Sequence, residues 1–173
     1  MKTYKNVDKS LWPRGDWDNE PDKAYWVDEA TGLDCRIVRN EAGGLCGYVG
    51  VPKGHPFFEK SYDDLNEEDI NVHGGLTYSG KSQDKEMDYL LPPQGDSTNN
   101  IWWLGFDCAH YGDLLPKHES DLASLSFVFD PLGFMGSSMH GTYRNFDYVK
   151  SEVESLALQI KKAPINVEAH QVW

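Results

Sequence analysis

The most regular pattern of apolar positions lies near the C-terminus. Phe146, Val149, Val153, Leu156 and Ile160 follow one another at spacings of 3, 4, 3 and 4 residues, which is the single apolar stripe of an amphipathic helix. Asn145 stands where an N-cap belongs, and Asp147 suits the positive end of the helix dipole. Lys161 and Lys162 suit the negative end, and Pro164 stops the helix. Upstream, the apolar residues come in short β-type runs. Residues 33–39 and 45–51 flank Asn40-Glu41-Ala42-Gly43-Gly44 and predict a hairpin, closed off by Pro52 and Pro56. Residues 69–78 read as a strand broken at Gly74-Gly75, residues 101–107 as a central strand, and residues 124–130 as a further β-type run. Residues 59–69 are acidic and predict one short helix. Residues 79–100 and 131–141 carry loop chemistry, and 165–173 form a last strand or a docked tail. Residues 1–32 hold Trp12, Trp17 and Trp26 at irregular spacing, with Pro13 and Pro21 between them. They predict an irregular arm whose indoles dock onto a core of residues 33–173. Strands first and the long helix late give a single α+β domain, a mixed or antiparallel sheet with one main C-terminal amphipathic helix.

Composition narrows the partners. The chain has 173 residues, a length that favours one domain. Hydrophobic residues are a lean 39%, but aromatics at 13% supply large buried areas, so the chain folds. Lys and Arg number 16 against 28 Asp and Glu, a net charge of −12. That field repels phosphate backbones and anionic lipid, which argues against general nucleic-acid binding and against a membrane partner. A small anionic ligand in a locally positive pocket, or a protein partner with a basic surface, remains compatible with it. No apolar run has the length of a membrane span, and no apolar segment follows the basic start as in a signal peptide. Three cysteines without a CxxC pair read as reduced thiols in a cytoplasmic protein. Walker A, GxGxxG, HExxH and GxSxG patterns are absent, which sets aside the chemistries they serve.

Two stretches place residues of catalytic type inside apolar runs: Val72-His73-Gly74-Gly75-Leu76-Thr77-Tyr78, and Trp102 through Asp113. Asp107, His110 and Asp113 are spaced by three, so a tight turn after a strand end brings them to one side. With His73 they form an imidazole and carboxylate set that suits Zn²⁺ or Mn²⁺, whose bound water then serves as nucleophile. Cys108 is a reserve ligand whose neighbours turn it inward. Gly74 and Gly75 let a ligand approach the backbone closely. Without metal, the same residues make His110 a general base oriented by Asp107 or Asp113, with Thr77, Tyr78 and Tyr111 supplying hydroxyls to a ligand. His55 in Gly54-His55-Pro56 borders the site or merely shapes a turn. Trp103 lines the pocket or packs in the core. The plainer roles compete throughout: a histidine at a glycine-rich junction caps backbone groups, and an aspartate at a strand end makes an Asx turn. His118-Glu119-Ser120 and His140-Gly141-Thr142 match the half-motif of two-histidine phosphodiesterases only as short patterns do by chance.

Four blocks in order resemble a family of small proteins encoded by tailed phages and prophages: Gly47 to Pro56, Val72 to Ser79, Trp102 to His110, and Tyr143-Arg144 with the helix through Ile160. The resemblance covers a third to a half of the chain. It implies the cytoplasm of the host cell and a phage-related role, and it draws weight toward His55, His73, Asp107 and His110. It carries no reaction with it. Two functions follow as expectations. One is binding and hydrolysis of a small nucleotide-like or phosphorylated ligand at the His/Asp site, metal-assisted. The other is a non-enzymatic counter-defence protein that sequesters a signalling nucleotide, or that blocks a basic host surface with an acidic run such as residues 63–69.

Overall fold

The computed structural model describes residues 1–66, 70–81, 101–117 and 141–163. Among them, six strands form one fully antiparallel sheet: β1 (Lys2–Tyr4), β2 (Lys23–Val27), β3 (Asp34–Arg39), β4 (Leu45–Pro52), β5 (Tyr78–Lys81) and β6 (Ile101–Asp107). Their order across the sheet is β1-β2-β3-β4-β6-β5. A short helix α1 (Tyr62–Asn66) follows β4, and the long helix α2 (Phe146–Lys162) packs on β3 and β4. The fold is α+β with its main helix at the C-terminal end, as the periodicity predicts.

The predicted hairpin is β3–β4, with Val38 opposite Cys46 and Cys35 opposite Val49. All three cysteines are free and buried, and burial pushes the thiols of Cys35 and Cys46 up to about 12. The stripe of α2 buries Phe146, Val149, Val153, Leu156, Ala157 and Ile160 against Cys35, Ile37, Val49, Leu104 and Phe106. Each aliphatic side chain so buried stabilises the fold by about 1.5–3 kcal/mol. Gly47 makes the contact close: a Cβ there would stand 2.5 Å from Cγ2 of Val153, so only glycine lets the helix lie on β4 at this point. Asn145 caps α2 by accepting from the Tyr148 N–H at 2.9 Å.

Three expectations need correction. Residues 1–32 are not an irregular arm, because they contribute β1 and β2 to the sheet. The prolines break any long helix there, leaving one 3-10 turn at Asp16–Asp18, but they do not forbid strand, and Ala24-Tyr25-Trp26 pairs along β3, with Ala24 opposite Ile37. The docking of indoles holds for Trp17, buried edge-on against Tyr143 with ring centroids 5.0 Å apart. The segment is tied down by charge as well. Asp22 accepts from the backbone N–H groups of Asn6 and Val7, from Lys9 and from Nε of buried Arg39. Glu20 accepts from the Phe146 N–H and thereby adds a second cap to α2. Next, residues 69–78 are not a broken strand. Val72 to Gly75 close a turn, Gly75 N–H donating to the Val72 carbonyl, because Gly74 and Gly75 take φ of 67° and 84°. The strand begins only at Tyr78. Finally, β6 is interior but second from the edge rather than central. The acidic run yields a helix as expected over Tyr62–Asn66. Predictions for residues 67–69, 82–100, 124–140 and 165–173, and for His118 and His140, lie outside the described residues.

Candidate functional site

Three segments meet beside the N-terminal half of α2. The turn at residues 72–75 carries His73. The turn after β6 carries His110 and Asp113 and is closed by the Asp113 N–H donating to the His110 carbonyl at 2.9 Å. Residues 112–114 are stitched to Thr142, through Thr142 N–H to the Gly112 carbonyl and Leu114 N–H to the Thr142 carbonyl, which brings Arg144 and the start of α2 alongside.

Asp113 is the hub. Its side chain is only 2% exposed and accepts three hydrogen bonds. Oδ2 accepts from His73 Nε2 at 2.8 Å and from the His110 backbone N–H at 3.0 Å, and Oδ1 accepts from Arg144 Nε at 2.9 Å. Burial pushes its carboxyl up, but His73, Arg144 and the His110 N–H outweigh that and hold it below the usual carboxylate range. A carboxylate only accepts, so in the neutral His73 ring Nε2 carries the proton, and Nδ1 accepts from the Tyr148 hydroxyl at 3.0 Å. The His73 backbone N–H donates to Glu152 at 2.8 Å, and Gln159 holds Asn71 through both its N–H and its carbonyl. The helix thus straps the loop in place. The His110 ring lies edge-on to His73, centroids 5.4 Å apart, and its Nδ1 is buried with no hydrogen-bond partner, 3.7 Å from Asp113 Oδ2. Among the described residues, one donor atom each from His73, His110 and Asp113 lies within 4.8 Å of the others.

Of the sequence-predicted residues, the fold therefore brings together His73, His110 and Asp113, with Gly74 directly beneath the His110 ring. The others part from them for identifiable reasons. Asp107 makes the Asx turn instead, accepting from the Ala109 N–H at 3.0 Å, and its carboxylate stays 3.9 Å from His110 Nδ1. His55 is a helix cap. Its Nδ1 accepts from the Phe57 N–H and its Nε2–H donates to the Ile160 carbonyl at 3.0 Å. Ile160 is twelve residues beyond Tyr148, about 18 Å along the helix, so His55 does not border the site. Burial, aided by Lys161, lowers the basicity of His55 against the pull of that carbonyl. Trp103 and Tyr78 point to the sheet face away from α2. Trp103 is fully buried beneath Arg36, whose guanidinium lies 3.6 Å from the ring centroid, and Tyr78 packs edge-on against Tyr48. Gly75 helps form the turn. Thr77 is exposed and gives its N–H to the Gly105 carbonyl. Tyr111 is fully exposed at the tip of its turn. Cys108 is buried in the hydrophobic core and is not one of the three residues whose donor atoms converge; burial together with Asp113, Cys46 and Asp107 pushes its thiol far up.

Sequence reasoning missed Arg144, Tyr148 and Glu152. Tyr148 and Glu152 lie four residues apart on α2, on the same side of the helix, and a second, polar stripe beside the apolar one was the available signal. Comparison with family models, curated proteins and solved structures finds no match to this chain, so its function is read from its own residues.

Proposed function

We propose that the chain is a metal-dependent hydrolase of small phosphorylated, nucleotide-like ligands, with Zn²⁺ or Mn²⁺ held by His73, His110 and Asp113. The observation that carries this reading is the convergence of the three donor atoms within 4.8 Å. Two donors on a tetrahedral ion with bonds of about 2.0 Å are separated by about 3.3 Å. Asp113 Oδ2 lies 2.8 Å from His73 Nε2 and 3.7 Å from His110 Nδ1, on either side of that value. Three protein ligands leave a position open for water, as catalytic sites do. The outer partners are also of the kind that orient ligands: Tyr148 on the far nitrogen of His73, and Arg144 on the far oxygen of Asp113.

Local charge supports a cation. Asp107, Asp113 and Glu152 surround the histidines, and Arg144 is the guanidinium set against them. A bare phosphate is repelled there, and a divalent ion is attracted. Such an ion supplies Lewis acidity and lowers the pKa of a bound water. Hydrolysis adds water across the ester P–O bond: the water oxygen joins phosphorus, and a proton ends on the departing oxygen. Tyr111, exposed beside His110, offers a ring face on which a base stacks. On the phage resemblance, the ligand is a signalling nucleotide in the cytoplasm of an infected cell.

The test is elemental mass spectrometry on untagged protein purified without chelator, wild type beside His110→Ala, followed by a screen of phosphoesters. About one equivalent of Zn or Mn in wild type, lost in the variant, is expected. A second reading rests on the direct His73–Asp113 hydrogen bond: the cluster then only braces two turns against α2, and the protein acts without catalysis, by sequestering a ligand or covering a basic host surface. Wild-type protein that neither retains nor takes up either metal decides for that reading.

A further inference from the structure

Arg144 is more than a counter-ion for Asp113. A guanidinium paired with a carboxylate frequently engages it as a two-pronged fork. Here Arg144 uses Nε alone, on Oδ1, because Oδ2 is already committed to His73 and the His110 N–H. Among the described residues, its two terminal nitrogens have no hydrogen-bond partner. They are nevertheless held in place: Nε is fixed by Asp113, and the guanidinium carbon sits 5.1 Å from the centroid of the Tyr148 ring. The side chain is 30% exposed, so it can be reached from solvent. Tyr148 holds both parts of the arrangement, with its ring under Arg144 and its hydroxyl on His73.

We infer that the free prongs of Arg144 grip two oxygens of a phosphoryl group whose third oxygen meets the ion at His73, His110 and Asp113. Asp113 sets the spacing, since the guanidinium and the ion-binding side lie on its two oxygens. A carboxylate has two oxygens and cannot give a separate one to each prong and to the ion, so the class that supplies all three is a phosphomonoester or a terminal phosphate. This inference rests on the metal reading above and names the group that selects its substrate.

The test uses phenylphosphonate, a phosphomonoester analogue with no ester bond to hydrolyse, titrated by calorimetry into Zn-loaded wild type, Arg144→Gln and Arg144→Lys. Metal stoichiometry and circular dichroism are measured on each. Removing charge-assisted hydrogen bonds is expected to weaken phosphonate binding about 10- to 100-fold in Arg144→Gln. Lysine keeps the charge without the fork and restores only part of that loss. Unchanged phosphonate affinity in folded, metal-loaded Arg144→Gln overturns the inference and leaves the metal reading standing. Wild type that takes up no metal overturns the metal reading. The same titration on metal-free protein then decides the fork alone, which stands if binding depends on Arg144 and falls if it does not.

Discussion

The imidazole of His110 occupies the space that a side chain on Gly74 would need. A Cβ there would stand 2.5 Å from Nδ1 and closer still to Cε1 and Nε2. Gly74 also has a φ of 67°, so it is a glycine for two separable reasons. Gly74→Ala is expected to cost about 1–2 kcal/mol for the left-handed backbone and to displace His110, lowering zinc affinity by about tenfold or more. Gly112, with a φ of 91° and nothing near a built Cβ, is the control. Gly112→Ala should cost a similar amount of stability and leave zinc affinity alone. Thermal unfolding and competitive zinc titration read the two effects. Equal zinc affinity in both variants removes His110 from the site.

Tyr148→Phe deletes the hydroxyl that fixes His73 and spares the ring. Outer-shell partners of metal ligands are worth about 10–100-fold in affinity. That loss is expected here with little change in the unfolding midpoint. The measurement is zinc competition beside urea unfolding. A loss of stability without a loss of zinc affinity would mark Tyr148 as packing only.

His55→Ala should behave in the opposite way. It removes the donor to Ile160 and the acceptor for Phe57, two local hydrogen bonds of about 1 kcal/mol each. Zinc binding and phosphoester hydrolysis should stay at the wild-type level. A drop in either would bring His55 back toward the site.

Acid should weaken the tie between the N-terminal segment and the sheet. Burial pushes the Asp22 carboxyl up, but Lys9, the Val7 N–H and Arg39 outweigh it and hold it below the usual range. A carboxylate lowered in the folded state stabilises above its unfolded value near 3.9. That stability is lost as the pH falls through the folded value. The unfolding midpoint of wild type should therefore drop steeply below about pH 4. Asp22→Asn should flatten that limb and cost about 1.5–3 kcal/mol at neutral pH, since Arg39 and Lys9 lose a charge-assisted partner while Arg39 keeps Glu20 and Lys9 keeps the Trp17 carbonyl. Asp113 is lowered too and adds to the same limb, so part of the slope should persist in Asp22→Asn. Urea midpoints from pH 3 to 7 on both proteins test this.

Local pattern was sufficient for some elements. The stripe from Phe146 to Ile160 has one way to bury itself, and its caps are written beside it, so α2 was legible to the residue. The β3–β4 hairpin was legible because turn residues separate two β-prone runs. The first 32 residues were not legible, because β1 and β2 are short and carry no distinctive composition; what makes Lys23–Val27 a strand is its pairing with the neighbouring β3.

For the site, the chain by itself determined the candidates: His73 beside paired glycines, and His110 and Asp113 at a strand end. Which of them meet was decided only in three dimensions. Asp107 was as good a ligand by type and spacing as Asp113, yet the first folds back onto Ala109 N–H, while the second turns under the helix to His73 and Arg144. His55 and His73 sit in similar glycine-flanked turns, but one lands at the C-terminal end of α2 and the other near its N-terminal end. Those contacts join residues 31 to 105 positions apart. Local spacing carries the identity of such groups, but their meeting depends on how the sheet and α2 pack, which is a property of the whole chain.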